Sequence, residues 1–185
     1  MQCKIAFLAA LTSLVAYANP AAAAQDCPGC GDATAQSRFS QSTALEGGWR
    51  LVKSRNPDGN GEIVSIMHAV DTAKSDIGLA GLSLRCGPVG PEVVLILLDP
   101  IPSGERPKVT LQAGQTRTQA EAPVQQGGQT LLLSQAASSL ANAARQGATE
   151  VSVTIEARPN PITGIVPLTG MVKALGSLSV YCPVK

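Results

Sequence analysis

Two cysteines at the ends of apolar segments limit the folds open to this chain. Residues 81–86 end in Cys86, and residues 178–182, close to the C-terminus, end in Cys182. Both segments show the alternation of a strand, in which successive side chains point to opposite faces, so each cysteine falls on the apolar face of its segment. We therefore predict a Cys86–Cys182 disulfide. It would close a loop of about a hundred residues, for which the chain-entropy estimate is roughly 4.7 kcal/mol.

The first 24 residues have the features of a secretory signal peptide. Lys4 gives a short positive region, residues 5–18 are apolar, and small residues at 22–24 suit a cleavage site. A membrane anchor is the alternative, but a spanning helix needs about 20 apolar residues and polar residues interrupt this run. Lipidation of Cys27 is disfavoured because Asp26 precedes it. We expect an exported protein, periplasmic or secreted, with no membrane span after cleavage.

Cleavage leaves an even set of four cysteines, Cys27, Cys30, Cys86 and Cys182, in an oxidising compartment. Two disulfides are expected, the second one between Cys27 and Cys30. The same C-x-x-C motif performs thiol-disulfide exchange where it opens a helix after a strand. Here it lies in a polar leader, residues 25–47, without a strand or helix pattern, so a static link is favoured over a redox site. The spacing of the four cysteines disfavours a zinc site.

The balance of basic and acidic residues limits the kinds of partner that the chain is expected to bind. The chain has 14 Lys and Arg residues against 13 Asp and Glu residues, and loss of Lys4 with the signal peptide makes the two numbers equal. Nucleic acids and strongly charged surfaces attract proteins with a pronounced net charge. We therefore expect no nucleic-acid partner, and no residue pattern predicts a cofactor.

The remaining residues, 48–185, predict one mainly β domain. Residues 150–157 alternate between apolar and polar side chains, which indicates a half-exposed strand, whereas the unbroken apolar run 93–98 indicates a central strand covered on both faces. Two short helices are predicted at 134–146, capped by Ser134, and at 169–175, capped by Thr169. These patterns predict a single-domain antiparallel β-sandwich with two short helices, stapled by the disulfide. The other predicted strands are 49–53, 62–71, 81–86, 108–113, 116–122, 130–133 and 165–168.

Few residues could support catalysis or metal binding. His68 is the only histidine, and the apolar strand pattern around it favours a hydrogen-bonded core or rim residue over a catalytic one. Ser83 lies in mid-strand, without the glycine spacing of a nucleophile elbow. Arg85 flanks a core strand, where it is either an exposed salt-bridge partner or a residue that contacts a binding partner. We predict no catalytic residue and no metal site, with Arg85 as a candidate interaction residue.

The order of the segments resembles a known family. The sequences GLSLRC at 81–86, KVTLQAG at 108–114 and PLTGMVKALGSLSVYC at 167–182 are similar to segments of the VasI/TagO family of type VI secretion accessory proteins. Residues 87–91 depart from that family's pattern. The stretch IVPLTGMVKALGSL at 165–178 also resembles the invasion-associated locus B family, another exported β-rich group. The positions that match the first family are Arg85, Cys86, Leu168, Gly170, Ala174, Leu175 and Cys182.

The resemblance implies a non-enzymatic exported interaction module, in the form of an envelope or type VI secretion accessory protein that binds other proteins. Two alternatives stay open: a thiol-disulfide oxidoreductase that uses Cys27 and Cys30, and a secreted host-interaction factor. An exposed edge strand could bind a partner. The sequence does not select that strand, name the partner or fix the oligomeric state.

Overall fold

In the part of the chain that the structure describes, the strand patterns form two antiparallel sheets, accompanied by two α-helices. The computed structural model describes residues 40–56, 61–157 and 159–182, which belong to one compact unit. The predicted signal peptide, Cys27 and Cys30 lie outside the described residues. The elements are, in chain order, β1 (Ser40–Ala44), β2 (Arg50–Arg55), β3 (Glu62–Ala69), β4 (Leu79–Gly87), β5 (Gly90–Leu97), β6 (Lys108–Ala113), β7 (Thr116–Glu121), β8 (Val124–Gln125), β9 (Thr130–Leu133), α1 (Ala136–Arg145), β10 (Glu150–Glu156), β11 (Ile162–Pro167) and α2 (Met171–Ser179).

Neighbouring strands in both sheets are antiparallel. The larger sheet has the order β1-β2-β3-β4-β5-β9-β8, and the smaller one has the order β11-β10-β6-β7. Most neighbours are consecutive in the chain; the exceptions are β9, which pairs with β5, and β10, which pairs with β6. The predicted fold class, a mainly β antiparallel sandwich with two short helices, is confirmed.

Aliphatic side chains build the core. The inward residues of β6 and β10 are at most 2% exposed, as their alternation predicted, and residues 92–95 of β5 are all buried, as expected of a strand covered on both faces. Each fully buried aliphatic side chain contributes about 1.5–3 kcal/mol, so the sandwich is stabilised by many contributions of this size. The inward residues of the two strands are Val109, Leu111, Ala113, Val151, Val153 and Ile155.

The predicted disulfide joins Cys86 and Cys182, with an S–S distance of 2.09 Å. Leu82 and Leu84, which precede Cys86 on β4, are fully buried, so one end of the bond is anchored in the core. The other end lies in the turn that follows α2. The bond therefore ties the end of the last helix to a strand in the middle of the larger sheet.

The segment that precedes Cys182 is helical, and the strand predicted at 178–182 is wrong. α2 continues past the predicted end at 175 and finishes at Ser179. The short apolar alternation in this segment fits a helix equally well, because the buried residues of α2 are spaced three and four apart. These buried residues are Met171, Ala174 and Leu178.

Both helices begin without the predicted side-chain caps. α1 starts after Gln135 rather than Ser134, and α2 starts after Gly170, at a φ of 79°, rather than after Thr169. Neither N-terminus has a side-chain capping hydrogen bond. The predicted end of α1 is close to the observed one, and Gly147 follows at a φ of 95° that favours glycine.

The first described strand lies inside the predicted leader, so the extension of that leader to residue 47 is wrong. β1 pairs with β2 over its whole length, from Ser40↔Ser54 to Ala44↔Arg50. Its residues 41–44 are exposed and mostly polar, so the strand lacks the apolar alternation by which strands are recognised. Backbone hydrogen bonds to β2, rather than burial, hold it in the sheet. β11 likewise begins at Ile162, within a stretch predicted as a turn.

The loop between β3 and β4 covers the outer edge of β11. The C=O groups of Thr163 and Ile165 accept hydrogen bonds from the N–H groups of Asp76 and Asp71, at 2.9 and 2.8 Å. Their own N–H groups donate to Asp76 Oδ2 at 2.6 Å and to Ser75 Oγ at 2.9 Å. The backbone N–H and the hydroxyl of Thr163 lower the pKa of Asp76 below its ordinary value. All the outward backbone groups of these two β11 residues are therefore satisfied.

Candidate functional site

A groove with a volume of about 1100 Å³ lies between α1, α2 and the turn that joins β4 to β5. Elements from distant parts of the sequence build it, since one wall comes from α1, the other from α2, and the end from the β4–β5 turn. The disulfide fixes this arrangement, because Cys86 directly precedes the turn and Cys182 follows α2 closely. The groove is thus covalently tied on two of its three sides.

The β4–β5 turn presents an apolar side chain to solvent. Gly87 and Gly90 face each other across a two-residue turn, and Val89 at its tip is fully exposed. A Cβ on Gly87 would lie 2.2 Å from Cδ of Glu92. Glycine at 87 is therefore required for the Glu92 side chain to pack over the turn.

Glu92 and Arg85 form an ion pair beside the groove. They are opposite each other on β5 and β4, with 3.5 Å between Arg85 Nε and Glu92 Oε2, and their side chains are only 25% and 11% exposed. Arg85 Nη2 also donates to Gln125 Oε1 at 3.3 Å. Glu92 lines the groove, whereas Arg85 is engaged by its neighbours on the sheet. Arg85 therefore forms a salt bridge, as one of its two interpretations predicted, but the pair is largely buried rather than exposed. A contact between Arg85 and a partner stays a prediction.

The two helical walls of the groove differ in chemistry. The α1 wall is polar, and its side chains are partly engaged within the helix: Arg145 Nη1 donates to Asn142 Oδ1 at 2.9 Å, and Ser138 Oγ lies 3.5 Å from the C=O of Gln135. The α2 wall presents Val172, which is 38% exposed, and Leu175 beside it. An occupant with one apolar side and one polar side would match both walls.

His68 lies in a structural cluster apart from the groove. Its ring packs edge-on against Trp49, with 5.2 Å between the ring centroids. Its two ring nitrogens lie 2.8 Å from the C=O of Gly47 and 2.6 Å from the C=O of Ala69. Trp49 is fully buried and donates from Nε1 to the C=O of Thr169 at 3.0 Å. The observed contacts match the predicted hydrogen-bonded rim residue.

Ser83, the other side chain considered for catalysis, has a structural role. Ser83 is 8% exposed, and its hydroxyl donates to the C=O of Ile66 at 3.1 Å. Among the described residues, no group of three or more His, Cys, Asp or Glu side chains converges as metal ligands would. No helix within the described ranges is long and apolar enough to cross a membrane. The predicted Cys27–Cys30 link falls outside these ranges and stays a prediction.

Sequence reasoning missed the residues that shape the groove. Val89 was signalled by its position, since an apolar residue between two Gly-Pro pairs in a turn has no core to enter. Val172 and Glu92 gave no comparable signal. Their place depends on how far α2 extends and on which strands pair.

Sequence comparison links this chain to no family, since no family model and no curated protein matches it. Structural comparison finds the crystal structure of invasion associated protein B from Bartonella henselae, at 15% sequence identity and a TM-score of 0.50. The alignment covers 76% of this chain and 97% of that chain. The likeness between the two proteins is therefore one of fold, and it extends over nearly the whole of the invasion associated protein.

Proposed function

We propose that this chain is a non-enzymatic, exported interaction module that binds a segment of a partner protein in the groove. The observation that carries the proposal is the disulfide-anchored groove, with the fully exposed Val89 at its end and the partly exposed Val172 on its α2 wall. The occupant we propose is a short segment with an apolar side chain directed at these two valines. Its polar groups would face the α1 wall.

Energetics support an apolar contact at this place. Full burial of an exposed valine contributes about 1.5–3 kcal/mol, so Val89 would contribute an amount of this order, whereas Val172, only 38% exposed, would contribute less. A rigid site loses little conformational entropy on binding. The disulfide supplies this rigidity by joining the strand before the turn to the end of α2.

Two features support export. Disulfides persist in oxidising compartments such as the periplasm or the medium, and the Cys86–Cys182 bond joins strand and helix ends that are far apart in sequence. The predicted signal peptide has the same implication. The fold likeness is to a protein named for invasion, which agrees with an exported role but specifies no partner.

The narrower forms of this function rest on different support. A secreted host-interaction factor is favoured by the fold likeness to invasion associated protein B. A type VI secretion accessory role rests on the order and spacing of the VasI/TagO-like segments alone. The turn at 87–91, where the sequence departs from the VasI/TagO pattern, closes one end of the groove. Its partner would then differ from that family's partners. A deletion strain tested both for type VI secretion and for host-cell invasion separates the two roles.

A photo-crosslinking amino acid placed at Val89 tests the groove. In the exported full-length protein it is expected to give one discrete adduct, and Val172→Glu is expected to reduce the adduct yield about tenfold, because a charge replaces an apolar contact worth about 1.4 kcal/mol. Val180 is the matched control position, since it is 80% exposed and lies outside the groove. Equal adducts from positions 89 and 180, or a yield that Val172→Glu leaves unchanged, would contradict the proposal.

The oxidoreductase alternative has its own test. Insulin reduction by the purified protein is expected to be at background level and unchanged by Cys27→Ser. Thiol-labelled peptide maps at graded redox potentials should then show both predicted disulfides resisting reduction down to about −300 mV, as structural disulfides do. Insulin reduction that is lost in Cys27→Ser would replace the interaction module by an enzyme.

A further inference from the structure

The outer edge of β7 points backbone groups away from the sheet. The N–H of Ala122, just after β7, donates to the C=O of Pro107, just before β6, at 3.0 Å. In an antiparallel strand the N–H and C=O of one residue point to the same side, and this side alternates from residue to residue. Even-numbered residues of β7 therefore bond to β6, and Arg117, Gln119 and Glu121 direct their N–H and C=O groups outward.

α1 packs close to part of β7, but no described strand pairs with this edge. β7 is the last strand of the smaller sheet, and within residues 40–56, 61–157 and 159–182 no backbone group outside β6 hydrogen-bonds to it. Its inward residues Thr118 and Ala120 remain partly exposed, whereas their β6 partners Leu111 and Val109 are buried to 1% or less. An unpaired edge of this kind can pair with another strand.

We propose that β7 pairs with β7 of a second copy of this chain, antiparallel, about a two-fold axis at Gln119. In this register Gln119 faces Gln119 of the second copy, and Arg117 faces Glu121 of the second copy twice by symmetry. All the paired residues are outward ones, so each pair exchanges two N–H···O=C hydrogen bonds. The two sheets then join into one continuous sheet across the dimer.

The charges select this register over its neighbours. Two-fold registers centred on residue 117 or on residue 121 oppose Arg to Arg or Glu to Glu. Those centred on residue 118 or 120 set each charge against a neutral residue or beyond the strand. Directly opposed like charges destabilise a strand pair, and opposite charges stabilise it. The register centred on Gln119 is the one that pairs both charged residues favourably.

Arg117 has no counterion among the described residues. On the exposed face of the sheet, Glu121 is opposite Lys108, which lies 3.8 Å from Glu156. Arg117 is opposite the neutral Gln112, and no described acidic group lies within salt-bridge distance of it. In the proposed dimer Glu121 of the second copy supplies that anion.

The contact is small, so the dimer is expected to be weak and reversible. β7 is a strand of six residues, and its pairing buries less than the roughly 1,200–2,000 Å² of a standard stable interface. Ion pairs exposed on a sheet surface are screened by salt. Dimerisation is therefore expected to fall with dilution and with rising ionic strength.

Cysteine cross-linking tests the position of the axis. Hydrogen-bonded pairs have a Cα–Cα distance of about 5.5 Å, within the range that a disulfide bridges. The full-length exported protein with Gln119→Cys is expected to form a covalent dimer under mild oxidation. Gln112→Cys, exposed on the same face but one strand further in, is the matched control. Equal yields at the two positions, or no dimer at either, overturn the proposal.

Charge reversal with mixing tests the register. Arg117→Glu alone and Glu121→Arg alone each oppose like charges twice, and each is expected to raise the dimer Kd about tenfold in sedimentation equilibrium. An equimolar mixture pairs every Glu with an Arg and is expected to recover the wild-type Kd. A monomer at all concentrations, or a mixture no tighter than the single variants, overturns the proposal and leaves the edge to a strand of another protein.

Discussion

The two edge strands of the smaller sheet differ in whether their outward backbone groups are hydrogen-bonded. At β11 a loop from the larger sheet satisfies the outward N–H and C=O groups of Thr163 and Ile165, and the next outward residue, Pro167, has no N–H. At β7 the corresponding groups have no partner within the described residues. The covered edge is the more apolar one, and the open edge is polar and charged.

The difference shows two ways to prevent unspecific strand pairing at a sheet edge, one by a covering loop and the other by charged side chains. An apolar edge left open invites unspecific pairing, so β11 is closed by a loop that is itself part of the fold. β7 needs no covering loop, because the charged side chains on its exposed face limit pairing to a strand with matching charges. A covering loop prevents any strand from pairing with the edge, whereas charged side chains still allow a strand with complementary charges to pair.

The largest effect is expected from proline at two neighbouring residues of β7 whose N–H groups point to opposite edges of the strand. Thr118→Pro removes an N–H that bonds to β6 and leaves the acceptor opposite it unpaired, so the free energy of unfolding should fall by about 3 kcal/mol. Gln119→Pro removes an outward N–H and should cost less than about 1 kcal/mol. Urea unfolding of both variants measures the contrast. Equal losses would show that the assignment of inward and outward residues is wrong.

A bulky residue under the loop should be the next most costly. A Cβ on Gly164 would lie 2.7 Å from Leu79 Cδ2 and 3.0 Å from Ser75 Oγ, so Gly164→Val should lift the loop from the edge and cost about 2 kcal/mol. Thr118→Val replaces a side chain of similar size on the open edge, and it should change the free energy of unfolding by no more than about 0.5 kcal/mol. Urea midpoints of both variants decide this, and a harmless Gly164→Val would mean that the loop adapts.

Loss of one loop hydrogen bond should have a smaller effect. Ser75→Ala leaves the N–H of Ile165 without its acceptor in a half-buried position, at a cost of about 1 kcal/mol. Gln119→Ala removes an exposed bond from Gln119 Nε2 to Thr110 Oγ1 and should change stability by a few tenths, about 0.3 kcal/mol. If the two variants unfold at the same urea concentration, the covered edge gains nothing from Ser75.

The smallest effect is expected from the charge of Asp76 and should depend on pH. Hydrogen bonds from Thr163 lower the pKa of Asp76 in the folded state, so its carboxylate stabilises the fold above the ordinary aspartate pKa of about 3.9. This contribution disappears as the pH falls through the lowered pKa. Asp76→Asn should therefore be less stable than the wild type near neutral pH and equal to it in strong acid. Thermal unfolding from pH 7 down to pH 2 tests this, and a pH-independent difference would exclude a role for the charge.

Much of the sandwich could be predicted because its core strands have a clear period. Residues 150–157 alternate and β10 has the predicted burial, whereas the apolar run 93–98 is buried at 93–95 and 97 but half-buried at Ile96 and exposed at Leu98. β1 was missed because it is held by backbone bonds and has no apolar face. The C-terminal helix was cut short because a run of five residues cannot distinguish a period of two from a period of 3.6.

The groove and the edges were less predictable than the strands. Cys86 and Cys182 could be paired from their positions, but the groove beside them depends on the full length of α2. Arg85 stood out in the sequence, yet Glu92 and Gln125 engage it. The open edge became identifiable once the strand order was known, since that order is set by long-range pairing that the local pattern does not contain.

The Cys86–Cys182 bond gives the chain a second covalent route, which matters when the protein is pulled. A force applied at the two chain ends reaches Cys86, crosses the two sulfurs and leaves through Cys182. Residues 87–181, which include β5 to β11 and both helices, form a loop that this bond closes, so the pull cannot lengthen them. Stretching can therefore extend only the chain outside this loop, and reduction of this one bond would allow the loop to be extended as well.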